Sequence, residues 1–202
     1  TVIDDFSHRV ASLAGFAGNP RLEVVRADAR DLLQIQPLIQ QMDAVVALAA
    51  VVGAPACDVD PRRATEVNYD AVRALMEAME PRQRLVFPNT NSGYGVGGYA
   101  PLDETAPFNP VSHYGRTKAL AERAVLSRPN SVSLRFATLF GASFRPRLDL
   151  LVNDFVYRAV RDGALSLFEP AARRNFLHVQ DAAAAIELAL VDERMPGRAF
   201  NV

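Results

Sequence analysis

The sequence predicts an α/β chain: a doubly wound parallel sheet followed by a small C-terminal lobe. Short apolar runs alternate with segments of helical periodicity along the 202 residues, an order that implies right-handed crossovers between parallel strands. The run Asp43 to Ala50, "DAVVALAA", is apolar throughout after its first residue, as a strand covered on both faces must be. Half of the residues are hydrophobic and the formal charge is −1, which suits one sizeable core in an ordinary globular chain.

The elements follow in order. "TVID" reads as the end of a strand, "LEVVRAD" (22–28) as a second and residues 43–50 as a third. Residues 62–79 have helical periodicity, with Val67, Ala71, Leu75 and Met79 on one stripe. "RLVFPN" (84–89) is a strand, residues 112–126 a helix and "SVSLRFATLFG" (131–141) another strand. From Arg145 the rhythm loosens into helix, short strand, loop and helix, so residues 1–144 and 145–202 are expected to divide into two units.

Composition narrows the function. No basic excess points to nucleic acid or to an anionic membrane surface. Cys57 is the only cysteine, which excludes intrachain disulfides and cysteine-rich zinc sites and makes a reducing cytoplasm the expected setting. The run from Ala44 to Val52 is far shorter than the ~20 residues that span a bilayer. His8, His113 and His178 lack matching carboxylate spacing, so no metal site is expected.

In open α/β sheets ligands bind at the carboxyl ends of the strands. Those ends carry Asp4 and Asp5, then Asp28 and Ala29, then Ala49 and Ala50, then Asn89 to Ser92, with Thr138 on the last strand. A carboxylate ending the second strand of a dinucleotide fold can accept both ribose hydroxyls of NAD and repels the 2′-phosphate of NADP. Solvated loop carboxylates are the alternative for Asp4 and Asp5. "GYGVGG" (93–98) resembles a phosphate loop, but the prolines that follow allow no helix to start there, so Gly93, Gly95, Gly97 and Gly98 are expected to form a turn.

The succession "ALAA", "VNYDAVRALMEA", "LVFPNTNSGYG", "SHYGRTKALAE", "VSLRFATLFG" and "RRNFLHVQDAAAAIELAL" resembles the extended short-chain dehydrogenase/reductase family, in its nucleotide-sugar epimerase and dehydratase branch, over essentially the whole chain. The resemblance implies a Rossmann-like NAD-binding domain over 1–144 and part of a nucleotide-sugar substrate domain over 145–202. That family opens with a strand and a G-x-x-G-x-x-G turn, and it continues beyond "AFNV". The chain is therefore expected to be a fragment, or part of a longer protein, that binds NAD poorly by itself.

Tyr114 and Lys118 stand four apart and share one helix face. A free phenol has a pKa near ~10, and an ammonium beside it favours phenolate, so the resemblance implies Tyr114 as acid–base, Lys118 as its partner and grip on the nicotinamide ribose, and Thr90 as the third catalytic group. His113 lies about 100° round the helix and is expected to be peripheral. The resemblance further implies cofactor contacts from Asp4, Asp5, Asp28, Ala29, Leu48, Ala49, Ala50, Asn68 and Phe136. Substrate contacts would come from Thr90, Asn91, Thr138, Asn153, Ser166, Phe168 and Arg174, with Ser166 and Phe168 on a short strand. Arg145 and Arg147 offer a further phosphate contact, or stand solvated.

Some positions depart from the family pattern: Asn175 and Gln180 stand where it has aspartates, and "FEPAARR" lacks its glycines. Neutral Thr90-Asn91-Ser92 weighs against dehydration and favours NAD-dependent C4 epimerisation. Ketone reduction or dehydration is the alternative, and an NAD-binding protein without turnover a further one. A homodimer is expected through the helices that carry Asn68 and Tyr114, with Val67, Leu75, Leu120 and Val125 as apolar surface.

Overall fold

Strands buried on both faces set the architecture. In a computed structural model, which describes residues 1–8, 11–97 and 100–202, four parallel strands pair in the order β3 (Ala44–Val46), β4 (Arg84–Thr90), β5 (Ser131–Phe136), β8 (Arg198–Asn201). Side chains alternate across a strand, so β4 feeds two cores. Leu85 and Phe87 pack with Val72, Met79, Ala121 and Val125 on one side. Val86 packs with Val132, Leu134, Ala182 and Ala189 on the other.

The first face is covered by α1 (Leu32–Ile39), α4 (Ala71–Ala78) and α5 (His113–Leu126), the second by α7 (Val179–Val191). A separate parallel ladder joins β1 (Val2–Asp4) to β2 (Val24–Arg26), and its Ile3 and Val25 pack on the first core.

The helical stripe of residues 62–79 is realised in three pieces. A helix α3 (Pro61–Thr65) runs through a π-helical turn, Glu66–Asp70, into α4. A helix α2 (Ala54–Val59) precedes them after Gly53; neither α1 nor α2 was expected. Pro37 inside α1 hides its periodicity, and α2 is only six residues long.

One expectation needs correction. The strand expected over 131–141 is cut at Ala137, whose N–H donates to Val202 O at 3.0 Å. Beyond it β6 (Thr138–Phe140) leaves the main sheet to pair with β7 (Phe176–His178). Further along, α6 (Leu151–Asp162) follows β6, α7 covers the main sheet and β8 extends it.

The glycines of "GYGVGG" form a turn. Residues Asn91–Tyr94 make a 3₁₀ turn closed by Gly95 at φ +76; Gly98 lies outside the described residues. A Cβ on Gly95 would run into the Asn109 carbonyl oxygen. Gly95→Ala is therefore expected to cost about 2–4 kcal/mol through left-handed backbone strain and overpacking. A melting scan should show Tm lower by roughly 5–15 °C.

Candidate active site

The helix α5 starts where the turn after β4 ends. Ser112 caps it, its Oγ accepting from Gly115 N at 3.0 Å, as N-cap serines do. A Cβ on Gly115 would lie 2.9 Å from Pro110 and 3.0 Å from Ser92 O. Only glycine lets the first turn of α5 come this close to the end of β4. That approach brings the half-buried Tyr114 phenol against the Thr90 hydroxyl. Thr90 Oγ1 in turn accepts from Ser92 N at 3.1 Å and donates to Ser92 Oγ at 3.0 Å.

Burial governs the chemistry of both ionisable groups. It pushes the Tyr114 phenol up to about 12, the Cys57 thiol acting the same way against the Thr90 hydroxyl and the Arg147 guanidinium. Lys118, 4% exposed, is pushed down to about 7 by burial against the opposing charge of Glu122. Its amine donates to Pro88 O at 2.7 Å and sits 3.8 Å over the Phe87 ring. The lowering of Tyr114 expected from Lys118 is thus absent in the protein alone, because the amine is turned onto β4 and burial outweighs the nearby cations. His113 stands aside: its Nε2 lies 3.0 Å from Thr65 Oγ1 and 2.9 Å from Pro61 O.

Other residues expected at the site stand at the remaining strand ends. Beyond β3 the chain leaves extended form over Leu48, Ala49 and Ala50, the first two exposed. Asn68, in the π-helical turn, is 1% exposed. Its Oδ1 accepts from Val51 N at 2.8 Å, while its Nδ2 donates to Val51 O at 3.0 Å and to Thr117 Oγ1 at 3.3 Å. The amide is spent on holding the β3 end to α5 and does not reach into the cleft. A π turn re-aims one side chain at the expense of regular hydrogen bonding, and here the re-aimed side chain is this clamp.

At β1, Asp4 accepts from Phe6 N at 2.6 Å and Asp5 from Ser7 N at 2.9 Å; the latter bond holds the Asp5 carboxyl low. Asp28, beside Ala29 after β2, is tied to the Arg30 guanidinium at 2.7 Å, which holds it at about 2. Arg30 continues to Glu66 at 2.8 Å.

The second-lobe residues are scattered. Thr138 opens β6, and Asn91 Nδ2 donates to Asn175 Oδ1 at 2.8 Å. Asn153 fastens the loop after β6, its Oδ1 accepting from Gly141 N at 3.3 Å and its Nδ2 donating to Arg147 O at 3.2 Å. Ser166 and Phe168 do not lie on a strand; both are exposed, as is Arg174. Phe136 is a core residue, packed with Val132 and Ala182, because β5 turns this side chain away from α5. Arg147 is paired with Asp149 at 2.6 Å, while no side-chain contact defines a role for Arg145. Among the described residues no cluster could hold a metal ion, and no helix is long and apolar enough to cross a membrane.

Gly115 and Glu122 escaped the sequence reading, although a glycine inside a helix signals close packing. A further signal was available: Lys118 is the only lysine of the chain, arginine supplying every other long cationic side chain. A buried ammonium can shed its charge, whereas a guanidinium cannot.

The donor set fits a dinucleotide. An ammonium has three N–H groups and Pro88 O takes one, so Lys118 keeps donors for a ribose diol. Leu48 and Ala49 after β3 are exposed, and a Cβ on Gly53, at φ +92, would meet Arg147 Nη2 and Pro55 at 3.9 Å.

Residues 3–202 match the family described as the NAD dependent epimerase/dehydratase family. The chain is similar to a UDP-glucose 4-epimerase of Lactobacillus helveticus, at 24% identity over 86% of this chain and 60% of the relative. It is also similar to a probable dTDP-4,6-dihydroxy-2-methyloxan-3-one 4-ketoreductase of Streptomyces antibioticus, at 32% identity over 74% of this chain and 50% of the relative. It thus spans half to three fifths of the length of these two proteins. Its fold matches that of DesIV, a dTDP-glucose 4,6-dehydratase of Streptomyces venezuelae solved with NAD and TYD bound, with a TM-score of 0.86 at 24% identity over 100% of this chain and 65% of that one.

Burying Lys118 has a consequence for stability. Its amine titrates near 7 when folded and near ~10.4 when unfolded. Between those values the unfolded chain binds more protons, so stability rises with pH there. Above about 10 the raised Tyr114 reverses the trend, since the unfolded phenol ionises first. Lys118→Met should therefore be more stable than the parent at pH 6, by about 1 kcal/mol or more, with the gain vanishing near pH 10. Urea titrations across that range check it.

Proposed function

The chain belongs to the NAD dependent epimerase/dehydratase family, and from that membership we propose that it carries the proton-transfer groups of an enzyme that epimerises a nucleotide-diphosphate sugar at C4 through a transient keto-sugar. The observation that supports this is the meeting of Thr90, Tyr114 and Lys118 at the junction of β4 and α5. Tyr114 would take the proton of the sugar hydroxyl and return it after the ketose has turned over in the pocket, with Thr90 hydrogen-bonded to the same oxygen. Bound NAD would supply the hydride acceptor and donor, together with a cationic ring beside the phenol. A phenol at about 12 is too weak an acid to be a base at neutral pH, so positive charge at the site is required. Lys118 in its charged form and Arg147 are the chain's own sources.

Lys118 would hold the nicotinamide ribose, Asp4 the adenosine ribose, Asp28 and Ala29 the adenine edge, with close backbone approach at Leu48, Ala49 and Ala50. On the substrate side Asn91, Thr138, Asn153 and Arg174 would meet the sugar and its diphosphate. Elimination of water needs an extra acid–base pair, and Thr90-Asn91-Ser92 offers none: the Asn91 amide is bonded to Asn175. The second reading is net ketone reduction, favoured by the 32% identity to a probable 4-ketoreductase and needing the same groups. We also propose a homodimer through α3–α4 and α5. Leu120 is exposed on that surface, whereas Val125 is core and Leu75 packs against it.

Incubation of the intact protein with a panel of nucleotide sugars, followed by NMR, separates the readings. An epimerase interconverts two sugars with no net change in cofactor, and a reductase consumes reduced cofactor stoichiometrically. Tyr114→Phe should fold normally and lower turnover by roughly 10²–10⁴, while His113→Ala should change little; the reverse ranking ends the tyrosine mechanism. Asp4→Ala should relax a preference for NAD over NADP, read as the ratio of the two dissociation constants. Equal ratios for parent and variant would remove Asp4 from the cofactor site.

A further inference from the structure

We propose that Glu122 is a positioning residue of this site: its carboxylate fixes the end of β4 against α5 and stands as the buried anion one helical turn from the Lys118 amine. The proposal takes Lys118 to be a working group, as above. Three groups of α5, one turn apart, meet three consecutive residues of β4. Lys118 donates to Pro88 O at 2.7 Å, Glu122 Oε2 accepts from Asn89 Nδ2 at 2.6 Å, and Tyr114 meets Thr90. Glu122 and Lys118 stand at i and i+4 and each is only 4% exposed, so they share one buried face. The carboxylate is itself fixed from β5, by Ser133 Oγ at 2.7 Å and by Arg135 Nη2 at 2.6 Å.

A buried pair of this kind seldom stabilises a fold more than apolar residues would, so stability alone does not account for it. Arg135 is the direct partner of this carboxylate, its Nη2 2.6 Å from one oxygen and its Nε 3.1 Å from both, and Glu122 still acts on the lysine beside it. The Arg135 Nη1 reaches away to Tyr94 Oη at 2.6 Å and to Glu104 O at 3.1 Å, and its guanidinium lies 4.2 Å over the Phe108 ring. Tyr114 stands one turn before Lys118 on the same helix, and Cys57 on α2 and Arg147 on the loop after β6 act on its phenol. The stretch of β4 from Phe87 to Thr90 has no ionisable side chain. Glu122 is the anion opposing the loss of charge on Lys118.

In lysine-labelled protein the ε-carbon signal of Lys118 is assigned by its loss in Lys118→Arg, and its titration can be followed by NMR without substrate or turnover. Glu122→Gln keeps the shape and the acceptor oxygen but removes the charge. The titration midpoint should fall by about one pH unit or more, and the alkaline limit of turnover should fall with it. Ser133→Ala, which removes one hydrogen bond and keeps the charge, should leave the midpoint in place. Should Glu122→Gln fail to fold, Glu122→Gln with Arg135→Gln removes both charges and should show the same downward shift. An unmoved midpoint in the folded variant, or an equal shift in Ser133→Ala, overturns the proposal. A shifted midpoint in a protein whose parent turns over no nucleotide sugar would leave the role of Glu122 intact and sink the epimerase reading instead.

Discussion

An ammonium group buried in the interior must be matched by charge or give its proton up, and the amine of Lys118 imposes that choice on everything around it. Desolvation disfavours whichever form is charged, so the same surroundings drive the amine down to about 7 and the neighbouring phenol up to about 12. Across that window each group of the pair rests in its neutral form. A site held this way is quiet in the protein alone. It is also sensitive, since charge introduced into low dielectric is felt far more strongly than in water.

Holding such a pair in register takes more than helix spacing. Gly115 sets how closely α5 approaches the turn after β4, and the Asn68 amide ties the end of β3 to α5 through Val51 and Thr117. The Asn68 amide is fully engaged in this tie. Asn89 keeps a free acceptor instead: its Nδ2 donates to Glu122, while its Oδ1 has no partner. An unmade bond in a buried amide is costly, and it sits between the two residues that present Pro88 O and the Thr90 hydroxyl.

Much of this was legible in the sequence where one physical signal dominated. The apolar run at 43–50 announced a buried parallel strand, though only Ala44–Val46 is paired; an apolar run alone does not mark where the strand stops. The i, i+4 spacing placed Tyr114 and Lys118 on one face, but spacing says nothing of depth, and depth decides the direction of both shifts. The second lobe was least legible. Its expected strand at Ser166–Phe168 is absent, and the return of β8 to the main sheet is a pairing across the chain that no local pattern records.

The strand β5 shows how long-range pairing and the site are joined. All six of its residues are buried, yet Ser131, Ser133 and Arg135 turn polar groups toward α5 while Val132, Leu134 and Phe136 enter the opposite core. A strand with one buried polar face is tolerable only if each polar group finds a partner. Ser131 donates to Val125 O at 2.6 Å, and the other two converge on Glu122. The end of the chain supports this arrangement, since β8 pairs with Val132 to Arg135 and α7 closes the apolar side. The charge beside Lys118 therefore depends on residues some 80 positions away in sequence.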